Sequence, residues 1–291
     1  MNLHKKYIIN FLIFICFLLT YSCKEDIDLG TDSTTTKLVV EGYISTDTMR
    51  HMVRLSKSSD ALHKQFGGPV TDAIVTISDG IITETLTKDE SNPGFYFTSP
   101  SYFGVAGKTY VLNIKNVDVN NDGILEEYRA KSLLKDENPI DAFNVIAYSQ
   151  DSNLKGWIIN LYAQDPGKGR NCYLMKIKKN NTMLTDSVYK YGLADNTGFE
   201  GKYYYGFPVY FLRESIDSTY NLIKGDTVTL EMYGITEEYF TFLYDFINDY
   251  YPKLPIFSGP SANAYSNIEP GEKAIGVFTA YSVKRKKIVY K

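Results

Sequence analysis

From position 38 onward, apolar and polar residues alternate in short runs. The runs cover 38–44, 51–56, 73–77, 82–86, 94–97 and 109–114. Period two marks half-buried strands, because successive side chains point to opposite faces. Gly, Pro, Asn and Asp fill the gaps, with Gly80 at one turn; these residues end strands and build turns. No helical period competes between 38 and 134. The pattern predicts an antiparallel β-sandwich, Ig-like or prealbumin-like, over 38–138.

The polar stretch Asp136-Glu137-Asn138-Pro139 marks an expected boundary. Beyond it, 139–291 reads as a β-rich α+β domain, with strand-like runs at 140–148, 156–164, 171–178, 227–233 and 274–283. One helix is expected near 237–251. Thr236 is its N-cap, and Glu237 and Glu238 suit the positive end of the helix dipole. Tyr239, Phe240, Leu243, Phe246, Ile247 and Tyr250 recur at helical spacing, and Pro252 stops the run. The architecture expected is thus mainly β, a sandwich followed by a β-rich α+β domain with one marked helix. There is no internal repeat.

The N-terminus follows another rule. Lys5 and Lys6 precede an apolar run from Ile8 to Leu19, shorter than the roughly 20 residues that span a bilayer. This is the layout of a signal peptide over 1–22. It ends in Leu19-Thr20-Tyr21-Ser22-Cys23, which resembles a bacterial lipobox and makes Cys23 the expected lipidation site. Lys24, Glu25 and Asp26 resemble the export signal that carries Bacteroidota lipoproteins to the outer face of the outer membrane. Residues 23–37, rich in Thr, Ser and Asp, read as a flexible tether.

Composition narrows the chemistry. The 291 residues carry a net charge of −3, and losing Lys5 and Lys6 makes the rest more acidic. That argues against a nucleic-acid partner. Three Cys and three His leave no disulfide scaffold and no Cys/His zinc cluster. Cys172, within an apolar strand-like run, reads as a buried small hydrophobe, and Trp157 as core. His51 reads as a surface or edge position and His63 as a loop residue. There is no G-x-S-x-G elbow and no H-E-x-x-H. Paired carboxylates have no fixed sequence spacing, so a glycan- or peptide-acting hydrolase stays open as an alternative. No catalytic residue is assigned.

Two segments carry candidate binding chemistry. Asp118, Asn120 and Asp122, with Gly123 next, match the start of a calcium loop. Arg129 stands where an EF-hand needs Glu, and Glu127 is placed to close a shorter loop around a structural calcium. The alternative is a hairpin turn ahead of a strand starting at Ile124. The second segment holds much of the tyrosine excess, 25 Tyr against 16 Phe and one Trp. Tyr203, Tyr204, Tyr205 and Phe207 lie beside Gly201 and Gly206. They read either as a loop tip contacting a ligand or partner protein, or as half-buried strand residues. Tyr210-Phe211-Leu212 reads as strand. Lys284-Arg285-Lys286-Lys287 reads as the solvated end of the last strand, with lipid headgroups or an acidic partner as the alternative.

A series of motifs resembles the Bacteroidota outer-membrane lipoproteins of the domain-of-unknown-function 4249 family. It begins with Val39-Val40-Glu41-Gly42-Tyr43-Ile44. Pro69-Val70, Asp72-Ala73-Ile74-Val75, Gly94-Phe95-Tyr96 and Gly107-Lys108-Thr109-Tyr110 follow. Then come Pro139-Ile140-Asp141, Asp165-Pro166, Asn171-Cys172-Tyr173-Leu174 and Gly225-Asp226-Thr227-Val228. Asn263, Ser266-Asn267-Ile268, Gly271 and Gly276-Val277-Phe278 close the series. The resemblance implies a surface-exposed, non-enzymatic component that works with a TonB-dependent, SusC-like nutrient receptor. An adhesin or structural subunit is a further alternative.

Overall fold

The computed structural model describes residues 36–58, 67–135, 140–149, 155–167, 169–214, 216–250 and 265–291. Cys23, Lys24, Glu25, Asp26, His63, the boundary at 136–139 and Pro252 lie outside them. Residues 35–291 form one compact unit.

The first strands follow the alternation: β1 (Leu38–Ser45), β2 (Met52–Lys57), β3 (Ile74–Ser78), β4 (Thr83–Thr85), β5 (Thr87–Lys88), β6 (Phe95–Phe97), β7 (Thr109–Val117) and β8 (Glu126–Leu133). The next group is β9 (Ala142–Ser149), β10 (Lys155–Gln164), β11 (Cys172–Lys179), β12 (Thr182–Met183), β13 (Gly192–Asp195) and β14 (Tyr203–Arg213). The last elements are β15 (Thr227–Ile235), α1 (Glu237–Tyr250) and β16 (Ala274–Val289). The helix starts where its cap requires: Tyr239 N–H donates to Thr236 Oγ1 at 3.2 Å. Among the described residues no helix is long and apolar enough to cross a membrane.

One nine-stranded sheet runs β12-β11-β15-β16-β1-β2-β6-β5, with β13 also on β11. A four-stranded sheet, β4-β3-β7-β8, covers one half of it, and a three-stranded sheet, β14-β10-β9, covers the other. The first core collects Leu38, Val53, Ile77, Leu112, Ile114 and Phe278; the second collects Trp157, Ile159, Leu161, Ile177, Val228 and Leu230. Helix α1 packs Leu243 on Cys172, Leu174 and Ile235, on the opposite face of β11 and β15. The fold is mainly β, sandwich-like, with one marked helix, as the alternation implies. Strands from both sides of position 139 share the long sheet, and the first apolar cluster draws Ile268, Ala274, Phe278 and Ala280 from beyond it.

The pattern alone does not reveal the central pairing. Strand β1 lies parallel to β16, from Leu38 opposite Ala274 to Ser45 opposite Tyr281. The first sandwich therefore takes a strand from the far end of the sequence. Gly276 permits the approach: its φ is +111°, and a Cβ there would sit 2.0 Å from the Val40 carbonyl oxygen.

Strand β16 also runs past the expected end at 283. Lys284–Lys287 pair with Met232–Thr229 of β15. Lys286 and Lys287 are exposed, as a solvated strand end requires; Arg285, also exposed, is in addition held by acids. Its Nε donates to Glu231 at 2.7 Å, and its two terminal nitrogens fork onto Asp47 at 2.8 and 2.6 Å. Glu231 is buried, and it also accepts from Lys178 at 2.7 Å and Tyr233 at 2.6 Å. Burial pushes its carboxyl up, but these three donors outweigh burial and bring it below its ordinary value.

Candidate functional site

The three-stranded sheet buries one face and exposes the other. On β10, Trp157, Ile159, Leu161 and Ala163 point into the second core; Ile158, Tyr162 and Gln164 point away. Strand β14 pairs antiparallel with β10, with shifts beside Leu161 and beside Ile159. Gly206 is the extra residue at the first shift, since Tyr205 pairs with Tyr162 and Phe207 with Leu161. Its φ is +73°, and a Cβ would lie 2.9 Å from the Tyr162 hydroxyl. A bulge of this kind needs glycine and re-aims the side chains around it.

Tyr203–Tyr205 are therefore strand residues, not a loop tip. The aromatic segment divides between the two faces. Tyr204 is buried and Phe207 half-buried, meeting Phe199 and each other at centroid distances of 5.0 to 5.7 Å. Burial and then Asp165 push the Tyr204 hydroxyl up to about 12. Tyr203 and Tyr205 face outward with centroids 4.6 Å apart, and Tyr205 is 84% exposed. Beside them runs an amide ladder, with Asn160 buried and Asn144 half-buried. Asn160 Nδ2 donates to Asn144 Oδ1 at 3.0 Å, and Asn144 Nδ2 donates to the Tyr162 hydroxyl at 3.2 Å. An apolar row follows, Ile146 opposite Ile158 opposite Phe211. The face offers rings, amides and apolar side chains. That set stacks and hydrogen-bonds but supplies no nucleophile paired with a base.

The other candidates fall elsewhere. Residues 118–125 link β7 to β8 as a turn. Asp118 accepts from the Asp122 and Gly123 N–H groups at 3.1 and 3.0 Å; Asp122 accepts from the Ile124 N–H at 2.8 Å and from Asn120 Nδ2 at 2.8 Å. Glu127 pairs with Lys115 at 3.1 Å instead of closing the loop. Among the described residues no group of three His, Cys, Asp or Glu side chains is arranged to hold a metal. Cys172 is buried, and burial pushes its thiol up to about 11, the opposite of what a nucleophile needs. Trp157 lies in the second core and donates to the Tyr290 hydroxyl at 3.1 Å.

His51 is not at an edge. It lies inward beside β2, wholly buried, with Nε2 3.0 Å from Ser45 Oγ and its backbone N–H donating to Thr98 Oγ1 at 2.9 Å. Its ring meets Tyr43 and Tyr102 edge-on, at 5.9 and 6.0 Å, and Nδ1 has no hydrogen-bond partner among the described residues. Burial lowers its pKa to about 4, against smaller opposing effects of Asp47, Ser45 and Glu84.

A cleft of about 530 Å³ opens between β8, the start of α1 and residues 265–271. It mixes Lys131 and Lys135 with Glu237, Glu238 and Glu269. Lys135 is tied to the Arg170 carbonyl at 3.0 Å, and Glu237 lies 3.6 Å from the Arg170 guanidinium. The acids in the first turn of α1 offset the helix's positive end, so no anion site forms there.

These features define a mainly β protein with an outward aromatic and amide face on its smallest sheet. The chain belongs to the family described as domain of unknown function (DUF4249), whose match covers residues 24–287. No curated protein matches the chain.

Proposed function

We propose that the chain is a surface-exposed outer-membrane lipoprotein of Bacteroidota, anchored by a lipid on Cys23 and sent outward by Lys24, Glu25 and Asp26. It acts as a non-enzymatic binding component beside a TonB-dependent, SusC-like receptor in nutrient uptake. The observation that carries the binding reading is the outward face of β9, β10 and β14. Rigid amphipathic rings beside a fixed amide ladder are low-entropy contact residues. The leader at 1–22 and the family resemblance support the anchor and the receptor.

The test is recovery of the full chain from native membranes. A TonB-dependent receptor co-purifies with the parent, and the paired change Tyr203→Ala and Tyr205→Ala loses it while the melting temperature holds. Absence of a receptor, or recovery indifferent to both changes, overturns the role. Cys23→Ala releases the chain from membranes; continued retention overturns the anchor.

A further inference from the structure

The face of β9, β10 and β14 is a sheet surface. A cleft lies elsewhere, between β8, the start of α1 and residues 265–271. Its volume of about 530 Å³ falls within the range of about 300–1,000 Å³ typical of small-molecule sites. That is several times what one free amino acid fills.

The charges lining the cleft are only partly consumed inside the fold. Glu237 lies 3.6 Å from the Arg170 guanidinium, and Lys135 donates to the Arg170 carbonyl at 3.0 Å. Glu269 is bridged through its backbone to Arg129, two residues along β8 from Lys131. Lys131, from β8, and Glu238, from α1, both line the cleft and are exposed. Neither side chain has an ion-pair partner among the described residues, so the two do not pair with each other. Opposite charges held apart in one cleft complement a ligand with its own opposite charges at its two ends.

Two hydroxyls specify what lies between those ends. Ser132 and Thr236 line the cleft and are only 6% and 7% exposed. Ser132 Oγ accepts from the Ala280 N–H at 2.8 Å, and Thr236 Oγ1 accepts from the Tyr239 N–H at 3.2 Å. The hydrogen of each hydroxyl has no acceptor among the described residues. Buried donors ordinarily find one, and a carbonyl or carboxylate oxygen in the cleft supplies it. Ala130, Leu133 and Ile268 add apolar surface to the same lining.

We propose that this cleft holds a short peptide by its two termini. The terminal carboxylate lies toward Lys131 and Ser132, the terminal ammonium lies toward Glu238, and a peptide carbonyl accepts from Thr236. A short peptide unites the required features: a cation at one end, an anion at the other and neutral acceptors between. A free amino acid has both charges on one carbon and leaves most of the volume unfilled. Under the uptake role proposed above, such a peptide is the nutrient.

The test is isothermal titration calorimetry on the full chain in mild detergent, with trialanine as the probe. Trialanine binds, and its N-acetylated and C-amidated forms each bind at least about fivefold more weakly. Glu238→Gln weakens trialanine by a similar factor and no longer distinguishes the acetylated form. Lys131→Gln does the same and no longer distinguishes the amidated form. Both positions are exposed, so both variants keep the parent's melting temperature. Absence of trialanine binding up to millimolar concentration overturns the proposal. So does binding that survives capping of either terminus, or that either variant leaves unchanged. Free alanine binding as tightly as trialanine assigns the cleft to single amino acids and likewise overturns the peptide. None of these readouts involves a membrane, a receptor, Tyr203 or Tyr205, so this proposal and the proposed function fail separately.

Discussion

Acidification isolates one buried side chain. His51 has no solvent exposure, and burial holds its pKa near 4, below its ordinary 6.5. The folded chain thus keeps the ring neutral, whereas the unfolded chain takes up a proton below about pH 6.5. Unfolding binds the extra proton, so stability falls as the pH drops. The contribution of His51 is fully present above its unfolded pKa and fades through the window from 6.5 to 4. Linkage gives a loss of about 2 kcal/mol at pH 5 and about 3 kcal/mol at pH 4. The depressed carboxyls act lower. The Ile82 and Ile81 N–H groups and Lys108 hold Asp79 well below its ordinary value, and Thr219 and then Lys190 bring Asp217 to about 2. Their contributions are lost only as the pH falls below the ordinary carboxyl value of about 4. Urea unfolding at pH 7.5, 6, 5 and 4.5 separates the two windows. His51→Gln keeps a polar partner for Ser45 and removes the titration, so its stability stays flat from pH 7.5 to 5. Equal losses in the parent and in His51→Gln over that interval would refute the reasoning.

Glu231→Gln leaves the Arg285 and Lys178 cations facing an uncharged buried group. Both cations stay partly solvated, with side chains 39% and 32% exposed, so the substitution lowers unfolding free energy by about 1.5–3 kcal/mol, read by denaturant melts, and a change under about 1 kcal/mol would show the network to be incidental. Gly206→Ala forces φ +73° on a residue with a Cβ and crowds the Tyr162 hydroxyl. It costs about 1–2 kcal/mol by thermal melt, and a neutral result would contradict the bulge geometry. Tyr205→Ala, at an 84% exposed site, shifts stability by no more than about 0.5 kcal/mol. A larger loss would mean that the ring holds the fold rather than meeting a partner.

Local pattern carries most of the elements. The expected runs at 38–44, 51–56 and 109–114 became β1, β2 and β7, and the cap at Thr236 set the start of α1, because alternation and capping are properties of neighbouring residues. The burial of His51 was written in the same alternation: His51, Val53 and Leu55 share a parity, and all three are buried. Residue type suggested an edge, and position was the better guide. The division of the aromatic segment was harder to read, since Gly206 looks like a turn residue and is a bulge within a continuous strand. The partnership of β1 with β16 left no local trace. Parallel pairing between distant segments is fixed by which apolar surfaces remain to be covered, not by either segment alone.

That partnership dictates an order of events. The first core needs Ala274, Phe278 and Ala280, so β2, β3 and β7 cannot be sealed until the last strand arrives. Contacts of such long sequence separation close late and slowly. A chain emerging from the ribosome stays unfinished through most of its length. On the export route proposed above, a machine that threads unfolded polypeptide would meet a chain with little completed structure to undo. Deleting 274–289 removes the strand between β1 and β15, and the loss reaches the half of the molecule encoded first.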